Sequence, residues 1–292
     1  MTKCISVIIP HYEDLDRLNT CLSQLSRQTL PSDRFEIVVA DNASPCGEDV
    51  VRAVIRSRAR LVVCTERGAG PTRNAGLAAA VHPLLAFTDS DCIPDKGWLA
   101  AGMSALSTAS IVGGQMKVSA RSPGDRSGAE AFETVFAFDN RKYVKEQSFS
   151  VTANLFAHRR VFDAVGGFRT HVSEDVEWCR RAVAAGFKII YADGAIVTHP
   201  ARANWHELRQ KWERLEQEGL ALAMERPGGR WRWLVRSWAL PASVPVHASR
   251  ILAAPSLANG RERLRAVATL SRLRWWRFRN AQRLFWKTTW RM

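Results

Sequence analysis

The first hundred residues alternate short apolar runs with helical patterns, and this alternation limits the chain to a small set of folds. The predicted strands span residues 5–9, 35–40, 60–64 and 84–88. Four leucines recur at helical spacing between the first two: Leu15, Leu18, Leu22 and Leu25. Strands that alternate with such helices form an open, mainly parallel sheet covered by helices. Later helices are predicted to begin near Glu48, Thr72 and Gly97.

The order of predicted elements changes after residue 100. Strands are predicted near 111–118, 151–157, 188–191 and 195–198, and helices near 130–144 and 175–185. Gly, Ser and Thr dilute the uncharged stretch 97–116, which we interpret as a helix and a buried strand rather than a membrane span. The predicted fold class is α/β, with a mixed, mainly parallel sheet between helices.

The positive charge of the chain is confined to its C-terminal third. The formal net charge is +14, but residues 1–200 hold 23 Lys and Arg against 22 Asp and Glu, whereas residues 201–292 hold 19 against 6. Nine of the eleven tryptophans also lie beyond residue 200. We therefore predict two units with different roles.

The six cysteines are scattered without the spacing of a metal or redox motif, and several lie in apolar runs. We therefore expect reduced thiols and a cytosolic protein. The N-terminal apolar run ends at Pro10 and is too short for a signal-peptide core, so secretion is not expected. The uncharged stretch 237–249 is short and contains two prolines, so no transmembrane helix is predicted there.

An acidic triplet, Asp89-Ser90-Asp91, follows the apolar run LLAF. Ligands of open α/β sheets bind outside the carboxyl ends of strands, which makes these two carboxylates candidates for function. Mg²⁺ and Mn²⁺ prefer oxygen ligands and leave further positions to substrate phosphates. Acidic residues at strand ends are also common turn formers, so the triplet alone leaves both interpretations open.

Seven short motifs follow one another along residues 6–202: SVIIPHYED, VVADNAS, GAGPTRNAG, FTDSDC, a GGF turn, SED and VTH. In this order they resemble the motifs of glycosyltransferase family 2, whose fold is called GT-A. The resemblance implies a GT-A catalytic domain over residues 1–202. It also implies an inverting enzyme that uses a nucleotide-sugar donor and Mn²⁺ or Mg²⁺. Residues 203–292 are predicted to form a basic, tryptophan-rich helical region.

The resemblance assigns seven residues to the donor and two to the metal. The donor residues are Pro10, Tyr12, Glu13, Asp41, Arg73, Asp89 and Ser90. In this set the loop 10–13 lies under the base, Asp41 bonds to the base, typically uracil, and Arg73 lies against the phosphates. Asp91 is the direct metal ligand and His199 completes the metal site. The alternatives are a helix cap at Asp41, a surface charge at Arg73 and a structural histidine at His199.

The SED motif supplies the predicted general base. Glycosyl transfer to an alcohol requires that a proton leave the attacking hydroxyl, and a nearby carboxylate can accept it. The resemblance gives that role to Asp175. On the acceptor side it implies Asn154, Gly167, Glu174 and Trp178. The alternatives are an ordinary helix cap at Asp175 and an ordinary tight turn at the glycines.

Two departures from the family pattern bear on the predicted function. Glu13 stands where many relatives have asparagine, which leaves its contact with the base open. The QxxRW string of processive synthases is absent, so we predict transfer of one or a few sugars per encounter. The expected donor is a UDP-sugar, and the expected acceptor is a hydroxyl of a lipid-linked, glycan or other cell-envelope molecule.

Residues 262–290 are predicted to form an amphipathic helix. Its apolar side holds Val267, Leu270, Phe278, Ala281 and Phe285, interrupted by Arg274 and Arg277; Trp275, Trp276, Trp286 and Trp290 lie near the boundary. Basic residues with interfacial tryptophans suit an anionic membrane surface, so we expect peripheral attachment at the cytoplasmic face. The alternatives are a tail that packs on the catalytic domain, forms an oligomer or binds single-stranded nucleic acid. A GT-A-like module without catalysis is a further alternative.

Overall fold

The computed structural model describes residues 4–289, with side chains described as far as Lys287. Within these residues eight strands form one sheet. The strands are β1 Ile5–His11, β2 Phe35–Asp41, β3 Arg60–Val63, β4 Leu84–Phe87, β5 Ile93–Pro94, β6 Ile111–Ser119, β7 Leu155–His158 and β8 Ile189–Pro200.

The helices between and after the strands follow the same chain order. They are α1 Leu15–Leu25, α2 Glu48–Ile55, α3 Ala69–Ala79, α4 Trp98–Ala105, α5 Gly128–Phe136, α6 Asn140–Gln147, α7 Arg159–Val165, α8 Glu174–Ala184, α9 Trp205–Met224, α10 Gly229–Ala242, α11 Val244–Leu252 and α12 Gly260–Thr289. None of the helices in the described part of the chain combines the length and apolarity that crossing a membrane requires.

The sheet has the strand order β3-β2-β1-β4-β7-β6-β8-β5. The first four strands in this order are parallel, while β7 runs antiparallel to both β4 and β6, and β5 runs antiparallel to β8. The α/β class with a mixed sheet between helices is therefore confirmed, and the parallel pairs are those of the region where strands and helices alternate in the sequence.

The central strand β1 is covered on both faces, which explains its continuous apolar run. Ile5, Val7 and Ile8 are fully buried. On one face α1 buries three of its four predicted leucines, and Leu15 is partly buried. On the other face α3 approaches closely at Gly76, where an added Cβ would lie 2.6 Å from Ile8 Cγ2.

Some predicted elements differ from the observed ones. The two strands predicted at 188–191 and 195–198 are one continuous strand, β8. The helix predicted over 130–144 is two helices, because α5 ends at Phe136 and Asp139 caps the start of α6 by accepting from the Lys142 amide. The strand predicted to begin at 151 begins at Leu155, after a turn of 3-10 helix.

The described chain divides into two compact units by its internal contacts. The N-terminal unit comprises Met1–Lys117, Asp139–Thr170 and Glu174–His199, and the C-terminal unit comprises Val118–Phe138, His171–Ser173 and Pro200–Met292. The sequence boundary at residue 202 is close to the last of these divisions. Residues 118–138 nevertheless belong to the C-terminal unit, because Ala129 and Phe132 of α5 join a cluster with Leu208 and Leu270.

The helix predicted over residues 262–290 is observed as α12, and Trp290 lies outside the described residues. The apolar side of α12 is covered by protein, since Leu270, Ala281 and Phe285 are buried. Arg277 is accommodated there because it pairs with Glu216 at 2.8 Å. An amphipathic helix on a membrane contacts lipid with its apolar side, and here the other helices of the unit cover that side. Attachment through this side is therefore excluded, and peripheral attachment itself stays a prediction.

Candidate active site

Three neighbouring strands bring polar residues to one edge of the sheet. β1 lies between β2 and β4 and is parallel to both, so the carboxyl ends of all three meet at that edge. His11 ends β1, Asp41 ends β2, and Asp89 follows β4 by two residues. The strand order changes direction at β1, since the chain continues from β1 to β2 and β3 on one side and then returns to β4 on the other. Ligands of open α/β sheets bind at such a point.

The carboxylate of Asp41 is buried and held by three hydrogen bonds. Its Oδ1 lies 2.7 Å from Nδ1 of His11 and accepts from the Ser44 hydroxyl at 2.6 Å, while Oδ2 accepts from the Ser44 amide at 2.8 Å. Nε2 of His11 is buried and has no hydrogen-bond partner within the described residues. The helix-cap alternative for Asp41 is wrong, because Gly47 precedes the first residue of α2.

Sequence reasoning places His11 only in the loop under the base and gives Ser44 no role, although both lie in the quoted motifs. Polar side chains there were visible, but their pairing with Asp41 depends on the register that places His11 beside Asp41. The same register aligns Pro10 with Ala40. The pairing of β1 with β2 therefore orders the Asp41 carboxylate, and neither strand does so alone.

The loop after β1 presents Tyr12 and Glu13 to solvent. Both side chains are exposed, and Glu13 has a φ of +62°. The Glu13 amide donates to the hydroxyl of Ser44 at 2.9 Å, which ties this loop to the one that follows Asp41. A non-glycine residue in the left-handed region is uncommon, and here the tie to Ser44 accompanies it.

Arg73 of α3 joins two acidic motifs that are far apart in the sequence. Its guanidinium donates to Asp89 at 2.5 Å and to Glu174 at 2.7 Å. The arginine is buried, which disfavours its charge, but the carboxylates of Asp89, Glu174 and Asp175 outweigh that effect and raise its pKa. The alternative of a surface charge at Arg73 is therefore wrong.

Asp91, Cys92 and His199 form the metal-binding candidate of the described residues. Nε2 of His199 lies 3.3 Å from Oδ2 of Asp91, and one ligand atom from each of the three residues falls within 4.8 Å of the others. Two ligands at right angles on an ion with bonds of about 2.1 Å are about 3 Å apart, so the aspartate and histidine fit one cation. The neighbouring Ser90 is partly exposed.

Two thiols close to this acidic edge are buried. Burial raises the pKa of Cys92, and the charges of Asp89 and Asp91 raise it further. Burial and the charge of Asp91 likewise raise the pKa of Cys21. Because thiolate ligands suit softer metals than Mg²⁺ or Mn²⁺, the carboxylate and imidazole are the better donors for those ions.

Asp175 lies in the first turn of α8, directly after Glu174. Its Oδ1 accepts from the Val176 amide at 2.7 Å, and its negative charge contributes to the raised pKa of Arg73. The Asp89 motif and the Glu174-Asp175 motif therefore surround the same guanidinium. The predicted base therefore lies near two of the predicted donor residues, Arg73 and Asp89.

Two residues predicted on the acceptor side are structural in this fold. Asn154 is fully buried: its amide donates to the carbonyls of Gln115 and Ala195, and its Oδ1 accepts from the indole of Trp98. Trp178 is also fully buried and stacks on Phe162, with ring centroids 4.2 Å apart. Because both side chains are buried, neither offers a surface to an acceptor. The two positions were predicted from motifs, which do not show burial.

Gly167 lies in a turn fixed by Asn74 of α3. The Asn74 side chain accepts from the Phe168 amide and donates to its carbonyl, both at 2.8 Å. A Cβ on Gly167 would lie 2.5 Å from Asn74 Oδ1, so glycine is required by this close approach. The alternative of an ordinary tight turn therefore explains this glycine fully.

The chain matches the profile described as "Glycosyl transferase family 2" over residues 6–166, and that described as "Glycosyl transferase family group 2" over residues 89–287. Among similar proteins, glycosyltransferase AglE of Haloferax volcanii is 31% identical over 206 residues, which are 68% of this chain and 67% of AglE. The pre-mycofactocin glycosyltransferase of Mycobacterium tuberculosis is 27% identical over 209 residues, which are 68% of this chain but only 43% of that protein.

Two solved structures have similar folds. The mannosyltransferase PcManGT from Pyrobaculum calidifontis, solved in complex with GDP-Man and Mn²⁺, has a TM-score of 0.61 at 20% identity and covers 97% of this chain and 86% of its own. TarS of S. aureus has a TM-score of 0.51 at 17% identity and covers 74% of this chain and 40% of its own. At these identities the likeness concerns the GT-A fold.

Proposed function

The chain belongs to glycosyl transferase family 2, and from that premise we propose that it is an inverting, metal-dependent enzyme that transfers a sugar from a nucleoside diphosphate sugar to an acceptor hydroxyl. The observation that carries the proposal is the double ion pair of Arg73, which unites Asp89 with Glu174 although 101 positions separate Arg73 from Glu174. Such convergence supports a single location for donor binding and base catalysis.

Asp41 and its neighbours are suited to recognise the nucleotide. A carboxylate already oriented by hydrogen bonds loses little freedom when a base binds, and the unpartnered Nε2 of His11 offers a further polar atom. We propose a UDP-sugar as the donor, on the family pattern at Asp41. The GDP-Man in the PcManGT complex makes GDP-sugars the first competitors to test.

Asp91 and His199 are the residues proposed to hold Mn²⁺ or Mg²⁺, on the distance that separates them. When bound, a divalent cation neutralises the charge that develops on the diphosphate leaving group. PcManGT was solved with Mn²⁺, which supports a metal of this kind without deciding between the two. Arg73 contributes positive charge to the same region and holds the Asp89 and Glu174 side chains in place.

In the proposed single displacement, Asp175 accepts the proton of the acceptor hydroxyl. The hydroxyl oxygen forms a bond to the anomeric carbon on the face opposite the nucleotide, and the bond between that carbon and the diphosphate oxygen breaks. The electron pair of the broken bond leaves with the nucleoside diphosphate. The configuration of the sugar is therefore inverted once.

A binding and turnover screen tests this proposal. UDP-, GDP- and dTDP-sugars are each titrated into the protein with Mn²⁺, with Mg²⁺ and with EDTA, and released nucleotide is measured. At least one donor is expected to bind or to be hydrolysed only when metal is present. Asp91→Asn is expected to abolish this metal-dependent binding and hydrolysis. No metal-dependent binding of any nucleotide sugar would support a non-catalytic module instead.

The acceptor is proposed to be a glycan, a lipid-linked saccharide or another cell-envelope molecule, and the transfer is proposed to be non-processive. The absence of the QxxRW string supports the second point. Mass analysis of products should find additions of one or a few sugars, and a long polymer made by the purified protein would overturn non-processivity.

We also propose peripheral attachment to the cytoplasmic face of a membrane, supported by the basic exposed residues of the C-terminal unit. Flotation of the full chain with anionic vesicles tests this, and a chain that stays with the soluble fraction in low salt would end the idea. Oligomer formation is tested in the same samples by light scattering.

A further inference from the structure

The exposed face of α10 is apolar although the helix lies in a basic unit. Trp231 is 63% exposed, Val235 71% and Trp238 63%. Spacings of four and three residues place the three side chains on one side of the helix. Soluble surfaces seldom gather such large apolar groups without a partner, so this face marks an interaction site.

Two phenylalanines of α12 each contact one tryptophan of α10 and one tryptophan of α12. The ring of Phe278 lies 4.7 Å from Trp238 and 5.6 Å from Trp275, centroid to centroid. The ring of Phe285 lies 5.2 Å from Trp231 and 5.3 Å from Trp286. The two helices therefore hold four tryptophans in two ordered pairs, each pair beside a phenylalanine.

The two phenylalanines are separated along α12 by seven residues, which corresponds to about 10 Å of helix axis. Trp275 and Trp286 are exposed, like their partners on α10. We name the set Trp231, Val235, Trp238, Trp275 and Trp286 the tryptophan surface. Because packing fixes the rings before any partner arrives, little side-chain freedom is lost on binding.

Positive charge surrounds the tryptophan surface. Arg232 and Arg236 of α10 and Arg279 and Arg283 of α12 are exposed beside it. From residue 226 onward the sequence contains one acidic residue, Glu262, and that side chain is fully buried. A partner for this surface must therefore combine apolar material with negative charge.

We propose that the tryptophan surface docks the C-terminal unit onto the interface of an anionic lipid bilayer. This inference rests on the membrane attachment proposed above and assigns it to a surface shared by two helices. Indole rings favour the boundary between headgroups and acyl chains, and the four arginines reach anionic headgroups. Val235 favours lipid over nucleic acid, because an aliphatic side chain among the rings adds apolar contact but does not stack on bases.

Flotation with vesicles of phosphatidylcholine, with and without about 30 mol% phosphatidylglycerol to supply a negative surface potential, tests the assignment in the full chain. The wild type should float with anionic vesicles and show a blue-shifted tryptophan emission. The pair Trp231→Ala/Trp238→Ala should lower the partition constant about tenfold or more. The matched control Val246→Ala/Leu252→Ala removes exposed apolar groups of α11 and should stay within about twofold of wild type.

Two further variants at exposed positions test the same surface in case the tryptophan variants misfold. Val235→Asp places an acid among the rings without removing packing, and Arg279→Gln/Arg283→Gln removes charge alone. Both should weaken flotation while the circular dichroism and thermal midpoint stay those of the wild type. The arginine variant should lose about fivefold in partition per charge at low salt.

The outcomes separate this proposal from the broader one. If the wild type does not float at all, membrane attachment fails and the surface assignment falls with it. If the wild type floats and the variants float equally well, attachment stands and the assignment to this surface is overturned. If the wild type binds a single-stranded oligonucleotide tightly and does not bind vesicles, membrane attachment and its assignment to this surface are both overturned. The proposal of glycosyl transfer is not affected by that outcome.

Discussion

Arg73, which is buried, and Arg277, which is partly buried, both pair with carboxylates, but the net charge around the two guanidinium groups differs in sign. Arg73 in the N-terminal unit faces Asp89, Glu174 and Asp175, which raise its pKa although burial lowers it. Arg277 in the C-terminal unit has one paired carboxylate, Glu216, and lies over the ring of Trp212. Burial there exceeds the attraction and lowers its pKa, and Arg236 adds repulsion.

The difference indicates what each unit is prepared to bind. Around Arg73 acidic groups outnumber the cation, so the cluster retains negative charge that a divalent ion could neutralise. Around Arg277 cations are in surplus, and the unit as a whole presents positive charge to its surroundings. Burying an ion pair is costly in both places, so neither is explained by stability alone.

The largest expected effect concerns the acidic cluster. Asp175→Asn should lower kcat by about 10²- to 10⁴-fold, because the amide cannot accept the acceptor proton. Metal-dependent nucleotide binding, measured by calorimetry, should remain within a few fold of wild type. Asp163→Asn, which neutralises an exposed acid in α7 of the same unit, is the matched control and should be fully active. Full turnover by Asp175→Asn would remove this residue from the mechanism.

Removing either arginine should destabilise the protein strongly. Arg73→Met leaves Asp89 and Glu174 without their partner, and Arg277→Met leaves Glu216 without its partner. Each substitution should lower the free energy of unfolding by about 3–5 kcal/mol, measured in urea. The two sites are compared by how much of the lost stability a second substitution restores. Glu216→Gln should restore most of the stability lost in Arg277→Met, since one acid is then neutral. Glu174→Gln should restore less in Arg73→Met, because Asp89 and Asp175 remain.

Equal rescue in both double variants would break the comparison. It would mean that Asp89 and Asp175 do not repel one another or Glu174 once the guanidinium is gone. The cluster would then lack the surplus negative charge inferred for it.

A pair of helical glycines should show effects of opposite sign and smaller size. A Cβ on Gly102 in α4 would overlap the ring of Phe156, so Gly102→Ala should destabilise by about 1–3 kcal/mol. A Cβ on Gly219 in α9 would lie 3.4 Å from the nearest carbon of Trp233, an ordinary contact. Gly219→Ala should therefore stabilise by about 0.5–1 kcal/mol. Thermal denaturation of both variants decides whether packing really is closer in the first unit.

The smallest expected effect is the pH dependence contributed by Glu262. Its carboxylate accepts from the amides of Gly124, Arg126 and Ala258, and these bonds outweigh burial and lower its pKa. The stabilisation is fully present above the ordinary pKa of about 4.5 and is lost as pH falls through the lowered value in the folded state. Glu262→Gln should flatten that acid-side decline in unfolding experiments, whereas an unchanged decline would assign it to other acids.

Much of the fold was predictable because alternating apolar periodicity directly reflects which faces are buried. The first four strands and the leucine face of α1 follow from spacing alone. Periodicity does not say what covers a face, which is why the apolar side of α12 was assigned to lipid although α5, α9, α10 and α11 cover it. The division into two helices at Asp139 was also missed, because a capping aspartate resembles any polar helical residue.

The candidate site was predictable as a set of motifs but not as a geometry. The positions of Asp41, Asp89, Asp91 and Asp175 came from motifs, whereas the placement of Asp89 and Asp175 around Arg73 came from the fold. The pairing of His11 with Asp41 was overlooked because the two residues lie thirty positions apart on neighbouring strands. Asn154 and Trp178 were misassigned because sequence patterns do not distinguish a buried amide or indole from one that faces a ligand.

The place of α5 in the chain has a consequence for biosynthesis. Its apolar residues Ala129 and Phe132 are covered in part by Leu270 and Leu273 of α12, so a ribosome makes this segment well over one hundred residues before its last partners emerge. The nascent chain therefore carries an uncovered apolar helix throughout that interval. Cutting the gene after residue 202 would make the exposure permanent, and the shortened polypeptide should require a chaperone or precipitate.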